Sequence, residues 1–229
     1  MTTTRRRFLT VAGSGALAAG CASSPRGAGS TKSRETEDEV TPAEDLMREH
    51  GVLRRVMYLY DEAAMRLDGK IEVPLDALAG CAGLVRRVIE DYHEKLEEMF
   101  LFPRFEKAGR LGDLTATLRA QHQIGRSLTD HIVALANAPL AASDRGKLAT
   151  LVRRFNHMYR PHAAREDTVL FPALRGLVGA TAYRELGEQF EAKETEMLGD
   201  HGFERAVAEV AKLEQAFGVA DLAKLTERV

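Results

Sequence analysis

An all-α chain, folded as an antiparallel four-helix bundle with a C-terminal helical extension, is predicted by three observations. Ala, Leu, Glu and Arg dominate a sequence without Trp, so helix formers outweigh strand formers. Apolar residues recur at helical spacing in four long segments joined by short connections. DYHEKLEEMFLFPRF (91–105) is echoed by PHAAREDTVLFPAL (161–174). Aligned on their histidines, the segments share His93/His162, Glu97/Glu166, Leu101/Leu170, Phe102/Phe171 and Pro103/Pro172, each pair 69 positions apart, which marks an internal duplication.

In chain order, residues 1–21 stand apart. Thr4-Arg5-Arg6-Arg7-Phe8-Leu9 resembles a twin-arginine head, and the apolar segment behind it, Phe8 to Gly20, is too short to span a bilayer. The resemblance implies a signal peptide for the twin-arginine translocase, a route that carries folded, cofactor-loaded proteins to the periplasmic or cell-surface side. Leu17-Ala18-Ala19-Gly20-Cys21 resembles a lipoprotein cleavage box shifted by one place, which makes Cys21 the lipidation position and the protein membrane-anchored; simple cleavage is the alternative. Residues 22–40 are Ser/Gly-rich and then acidic, a linker without the apolar content to fold. Cys81, among Leu78, Ala82 and Val85, reads as a small buried apolar residue, so no disulfide framework follows.

Residues 41–175 carry the bundle. Thr41-Pro42 with Glu44 and Asp45 is a helix start, and the stripe Leu46, His50, Leu53, Met57, Tyr60, Ala64 runs to Asp68-Gly69. A second helix begins near Pro74, carries Leu78, Ala82, Val85, Ile89, His93 and Leu96 on one face, and is expected to stop at Pro103. The third spans about Asp113 to Asn137 with His122 in its stripe. The fourth starts near Ser143 and carries Phe155, Tyr159 and His162, with a kink expected at Pro161. Residues 176–229 add helical pattern broken at Gly199-Asp200-His201-Gly202.

The chemistry lies in the stripes. A histidine and a glutamate four apart project toward one point, so each hairpin delivers two imidazoles and one carboxylate to the interior. Four histidines and two glutamates are costly to bury unless they pair or hold metal. Imidazole with carboxylate suits iron, zinc or manganese, and two carboxylates suit a bridged dinuclear centre. Tyr60 and Tyr159 are candidates to support the histidines as hydrogen-bond donors, but core packing is the favoured role for both. His131, His157 and His201 fall outside the constellation. Acidic and basic residues nearly balance, 34 against 32, and leave no electrostatic footprint for nucleic acid.

With EHGVLRR around His50, HEKLEEMFLFP, AQHQ around His122 and HAAREDTVLFP, the chain resembles the haemerythrin-like, or HHE cation-binding, domains over about Asp45 to Leu174. The resemblance implies a non-haem centre of two iron ions joined by an oxo or hydroxo bridge, with His50, His93, Glu97, His122, His162 and Glu166 at the matching ligand positions. Oxygen carriers of that family have a second histidine where this chain has Arg126, and an aspartate at the spacing of Asp167, which makes Asp167 the rival to Glu166. The set of four histidines and two glutamates is closer to the family's iron-centre repair proteins, whose additional cysteine-bearing domain is missing here. Such a set leaves about one open position per metal, room for a small oxidant such as oxygen, peroxide or nitric oxide. An unidentified electron donor is implied if the oxidant is turned over; reversible metal binding or iron buffering uses the same ligands.

Overall fold

The computed structural model describes residues 40–226; the signal, the lipidation position Cys21 and nearly all of the linker lie outside the described residues. The described residues are mostly helical and include no strand. Helix α1 (Pro42–Asp68) opens with a capping box: the Thr41 hydroxyl accepts from the Glu44 N–H, and the Glu44 carboxylate accepts from the Thr41 N–H at 2.9 Å. Helix α2 (75–107) is one rod of alternating geometry, α over Leu75–Leu84, π over Val85–His93, a short α turn, π over Glu97–Leu101 and α over Phe102–Lys107. Helix α3 is Gly112–Ala136. Helix α4 (142–178) is α over Ala142–Arg165, π over Glu166–Leu170 and α over Phe171–Val178. Helices α5 (Ala180–Leu198) and α6 (Gly202–Phe217) and a 3₁₀ turn at Leu222–Leu225 complete the described chain.

One expectation about proline is corrected. Pro103 does not end α2, because Pro103 and its duplicate Pro172 each sit at the start of the closing α turn. A proline lacks the N–H for the preceding carbonyl and crowds it, and a π turn just upstream absorbs both effects. Helix α4 carries Pro161 inside its α segment and has a π turn at Glu166–Leu170. The duplication therefore extends to backbone geometry: each of these π turns begins on the glutamate of its His-x-x-x-Glu pair.

The bundle buries two apolar clusters. One gathers Leu53, Val56, Tyr60, Leu78, Ile89, Ile132, Val152 and Phe155, with Cys81, whose thiol burial pushes up to about 12. The other gathers Leu46, Leu96, Phe102, Leu118, Leu170 and Phe171. Along every bundle helix the predicted site histidine falls between a residue of one cluster and a residue of the other, so the polar layer is sandwiched in apolar surroundings. Helices α5 and α6 pack back on the bundle. Tyr183 of α5 accepts from the Ala43 N–H, and Arg55 makes a two-pronged bond to Glu214 of α6 at 2.7 and 2.5 Å.

Candidate metal centre

The four stripes bring His50, His93, Glu97, His122, His162 and Glu166 into one buried chamber, each no more than 4% exposed. His50 and His93 rings lie 4.6 Å apart, His122 and His162 rings 5.1 Å apart. Two glutamates stand between the imidazole pairs. Glu166 is 3.4 Å from His50 Nε2 and 3.1 Å from His162 Nε2, and Glu97 is 3.4 Å from His122 Nε2 and 3.7 Å from His93 Nε2. Ligand atoms of His50, His93 and Glu166 fall within 4.8 Å of one another, as do those of Glu97, His122, His162 and Glu166, so Glu166 belongs to both groups.

Each imidazole is held from behind by its Nδ1. His50 is paired with Asp167 at 2.7 Å, His93 with Glu49 at 2.7 Å, His122 with Glu98 at 3.1 Å and His162 with Gln121 at 2.9 Å. An acceptor on Nδ1 fixes the tautomer that leaves Nε2 as a lone-pair donor toward the chamber, an orienting arrangement typical of metal-bound histidine. Asp167 therefore backs His50 from outside the chamber and also takes the Arg54 guanidinium, while Glu166 faces inward; the rival ligand has a different place. Tyr60 takes the packing role of the two open to it. Its ring packs edge-on to Phe155 at 5.2 Å and its hydroxyl finds no hydrogen-bond partner among the described residues, so it is core.

Tyr159 does adjoin the chamber. Its ring meets His162 edge-on, and its hydroxyl donates to Glu94 at 2.7 Å. Gly125 makes room for that hydroxyl, since a Cβ there would lie 1.9 Å from it. Gly125→Ala is expected to eject the tyrosine at a cost of about 2–3 kcal/mol, read as a lowered Tm. Tyr159→Phe should cost less, and equal losses in the two variants would show that the close approach is relieved elsewhere. Arg126 joins Glu94 and Glu98 at 2.7 and 2.8 Å, so this chain fills the position of the extra histidine with a cation that braces the acceptor of His122.

The phenyl rings of the repeated Leu-Phe-Pro segments do more than plug the core. Phe102 stacks on His122 at 5.6 Å and Phe171 on His50 at 5.5 Å, so each hairpin lids the other hairpin's histidine. His131, His157 and His201 are exposed and away from the chamber. Glu49, Glu98 and Gln121 orient the imidazoles from positions that helical periodicity does not single out. Their signal is that the residue after each glutamate is acidic in both hairpins, and that the residue before each first histidine is a hydrogen-bond acceptor in both, a carboxylate in Glu49 and a carboxamide in Gln121.

Charge in the chamber is finely divided. Burial pulls His50 down, but hydrogen bonds and charge from Asp167 and Glu166 outweigh it and raise it to about 9. Burial lowers His93 well below its ordinary value and His122 to about 4. Burial, and next the charge of Glu166, raises Glu97 far above the carboxylate range, whereas His162 and His50 overcome burial to hold Glu166 low. Burial also raises Glu94 to about 8 against the pull of Tyr159 and Arg126.

The residues fit a metal on their own chemistry. Both carboxylate oxygens of Glu97 and of Glu166, with Nε2 of His93 and of His122, are buried without a hydrogen-bond partner among the described residues and face one another. Orphaned acceptors at such density are costly unless a cation joins them. Residues 41–174, more than half the chain, match the haemerythrin HHE cation-binding domain. The chain belongs to this family. This haemerythrin-family chain is also 42% identical over 230 residues to an uncharacterised protein of Mycobacterium tuberculosis strain H37Rv and to one of Mycobacterium bovis, in each case covering 97% of this chain and 90% of the relative. No solved structure matches it.

Proposed function

We propose that the chain is a non-haem di-iron protein that binds a small oxidant, oxygen, peroxide or nitric oxide, and reduces it when an electron donor is supplied. The observation that carries this reading is the convergence of orphaned Nε2 and carboxylate oxygens in two ligand groups that share Glu166. His50 and His93 would hold one ion, His122 and His162 the other, with Glu97 and Glu166 between them; zinc or manganese would fit the same donors. When bound, iron would supply redox change and an open position for the oxidant.

The chain's own groups set the conditions for that chemistry. Phe102 and Phe171 keep water off the outer faces of His122 and His50. Asp167, Glu49, Glu98 and Gln121 hold the imidazoles in one tautomer. Tyr159 keeps a proton on its hydroxyl, because burial and the neighbouring Glu94 raise it well above its ordinary value. We propose further that the protein is exported by the twin-arginine translocase and anchored through Cys21, a reading supported by residues 5–21 alone.

Iron analysis of the full chain recovered from the exported fraction tests both parts. About two irons per chain and an absorption change on adding peroxide or oxygen are expected. Iron that chelators strip readily, with no optical response, would favour iron buffering instead. Replacing Arg5 and Arg6 by lysine is expected to keep the protein inside the cell; unchanged export would remove the twin-arginine reading and leave the metal reading intact.

A further inference from the structure

The chamber has a near two-fold symmetry that the duplication explains. His50 corresponds to His122, His93 to His162 and Glu97 to Glu166. The orienting shell follows the same rule: Glu98 corresponds to Asp167, each the residue after its glutamate, and Arg54 to Arg126, each four residues after its histidine. The symmetry breaks at one acceptor. Glu49, which precedes His50, is a carboxylate on Nδ1 of His93, whereas Gln121, which precedes His122, is a neutral carboxamide on Nδ1 of His162.

We infer that this break makes the two halves of the chamber unequal metal sites, with the His50/His93 half the tighter. The inference rests on the dinuclear reading above. A carboxylate on Nδ1–H draws that proton toward itself and makes Nε2 a stronger donor; an amide oxygen polarises it less. The His50/His93 half has two carboxylates at 2.7 Å, and Glu49 is only 1% exposed, so solvent barely screens its charge. Asp167 shares its charge with Arg54, whose side chain is 47% exposed and correspondingly screened.

Behind its imidazoles the other half is weaker at both positions. Glu98 lies at 3.1 Å from His122 and divides its charge between Arg126 at 2.8 Å and Lys95 at 2.7 Å. Gln121 carries no charge at all. The positions corresponding to Glu94 and Lys95 in the other hairpin are Ala163 and Ala164, so the ion-paired network that Glu94 and Lys95 build around Arg126 and Glu98 is not repeated there. A dication therefore meets two carboxylate-backed imidazoles at His50/His93 against one at His122/His162. That half fills first and holds its ion when the other is empty.

Gln121 and Glu49 are thus positioning residues with opposite, separable effects. Calorimetric titration of metal-free full chain with zinc(II) reads both sites without any reaction. Two steps at least ~10-fold apart are expected, the stronger lost in His93→Ala and the weaker lost in His162→Ala. Gln121→Glu, nearly isosteric and on a partly exposed side chain, should tighten the weaker step by ~10-fold and leave the stronger unchanged. Glu49→Gln should weaken the stronger step by ~10–100-fold, with circular dichroism showing that helicity is retained. Two steps of equal affinity, or a Gln121→Glu variant whose weaker step does not move, overturns the asymmetry while the dinuclear reading stands. One ion or none bound by the folded chain overturns the dinuclear reading itself.

Discussion

Replacing Glu166 by alanine is expected to reduce bound metal from roughly two ions per chain to less than one, whereas Asp167→Ala should retain most of it. Glu166 is the residue common to both ligand groups, with one oxygen toward His50 and the other toward His162, so its loss removes a donor from each ion at once. Asp167 acts one bond further out. Its removal frees Nδ1 of His50 and unlocks the ring, an effect on the order of 10–100-fold in affinity, which a tight site tolerates in the presence of excess metal. Metal content by elemental analysis after gel filtration decides the matter, and the reverse ranking would place the ligand at Asp167. Glu97→Ala should resemble Glu166→Ala but spare the His50/His93 group, which includes Glu166 and not Glu97.

Removal of metal should invert the ordinary pH dependence of stability above neutrality. Glu94 has a folded value of about 8 against 4.5 unfolded, so its contribution is complete below pH 4.5 and disappears as pH rises through 8. Glu97, also raised, acts in the same direction. His50 is raised to about 9, and its contribution is complete below pH 6.5 and lost as pH climbs through 9. In the acid direction, His122 at about 4 contributes stability above pH 6.5 that is lost as pH falls to 4, and the lowered Asp167 carboxylate adds to that loss. Each tenfold difference in proton affinity between the folded and unfolded chain is worth about 1.4 kcal/mol, so the alkaline loss amounts to several kcal/mol.

The metal-free protein should therefore be most stable near pH 6, with a Tm that falls steadily toward pH 9. Loading reverses the trend, because the bound state needs Glu97 and His50 deprotonated; uptake at pH 7 should release protons, and the Tm gap between loaded and stripped protein should widen with pH. Thermal scans at pH 6 and pH 9 with and without chelator check this. A gap that narrows toward pH 9 would count against these groups as the site.

Periodicity reveals much of the site because buried histidines share their helix face with the core. His50 sits between Leu46 and Leu53, and His122 between Leu118 and Leu128, so an apolar stripe identifies them before any partner is known. Spacing is also informative about direction. On an ideal α-helix Glu166 lies about 40° around the axis from His162 and Asp167 about 140°, and the structure keeps that division, with Glu166 beside the His162 Nε2 and Asp167 at the back of His50. Tyr60 shares the stripe of His50, but ten residues of helix carry it deep into the apolar cluster, where it packs. Arg126 is visible as a departure, and its partners Glu94 and Glu98 lie on another helix, beyond what a one-dimensional period reveals.

The clasp between α6 and the first hairpin also sets an order of events during synthesis. Arg55 meets Glu214 across 159 residues, Arg66 reaches the Phe217 carbonyl across 151, and Arg87 meets Glu209 across 122. Contacts of such long range close late, after the loops between them have been brought together. Helices α1 and α2 consequently wait for α6 before their outer surface is covered. A translocase that accepts only finished proteins would suit a chain whose first hairpin is sealed by α6, and a truncation before Gly202 would leave that hairpin's outer surface open to solvent.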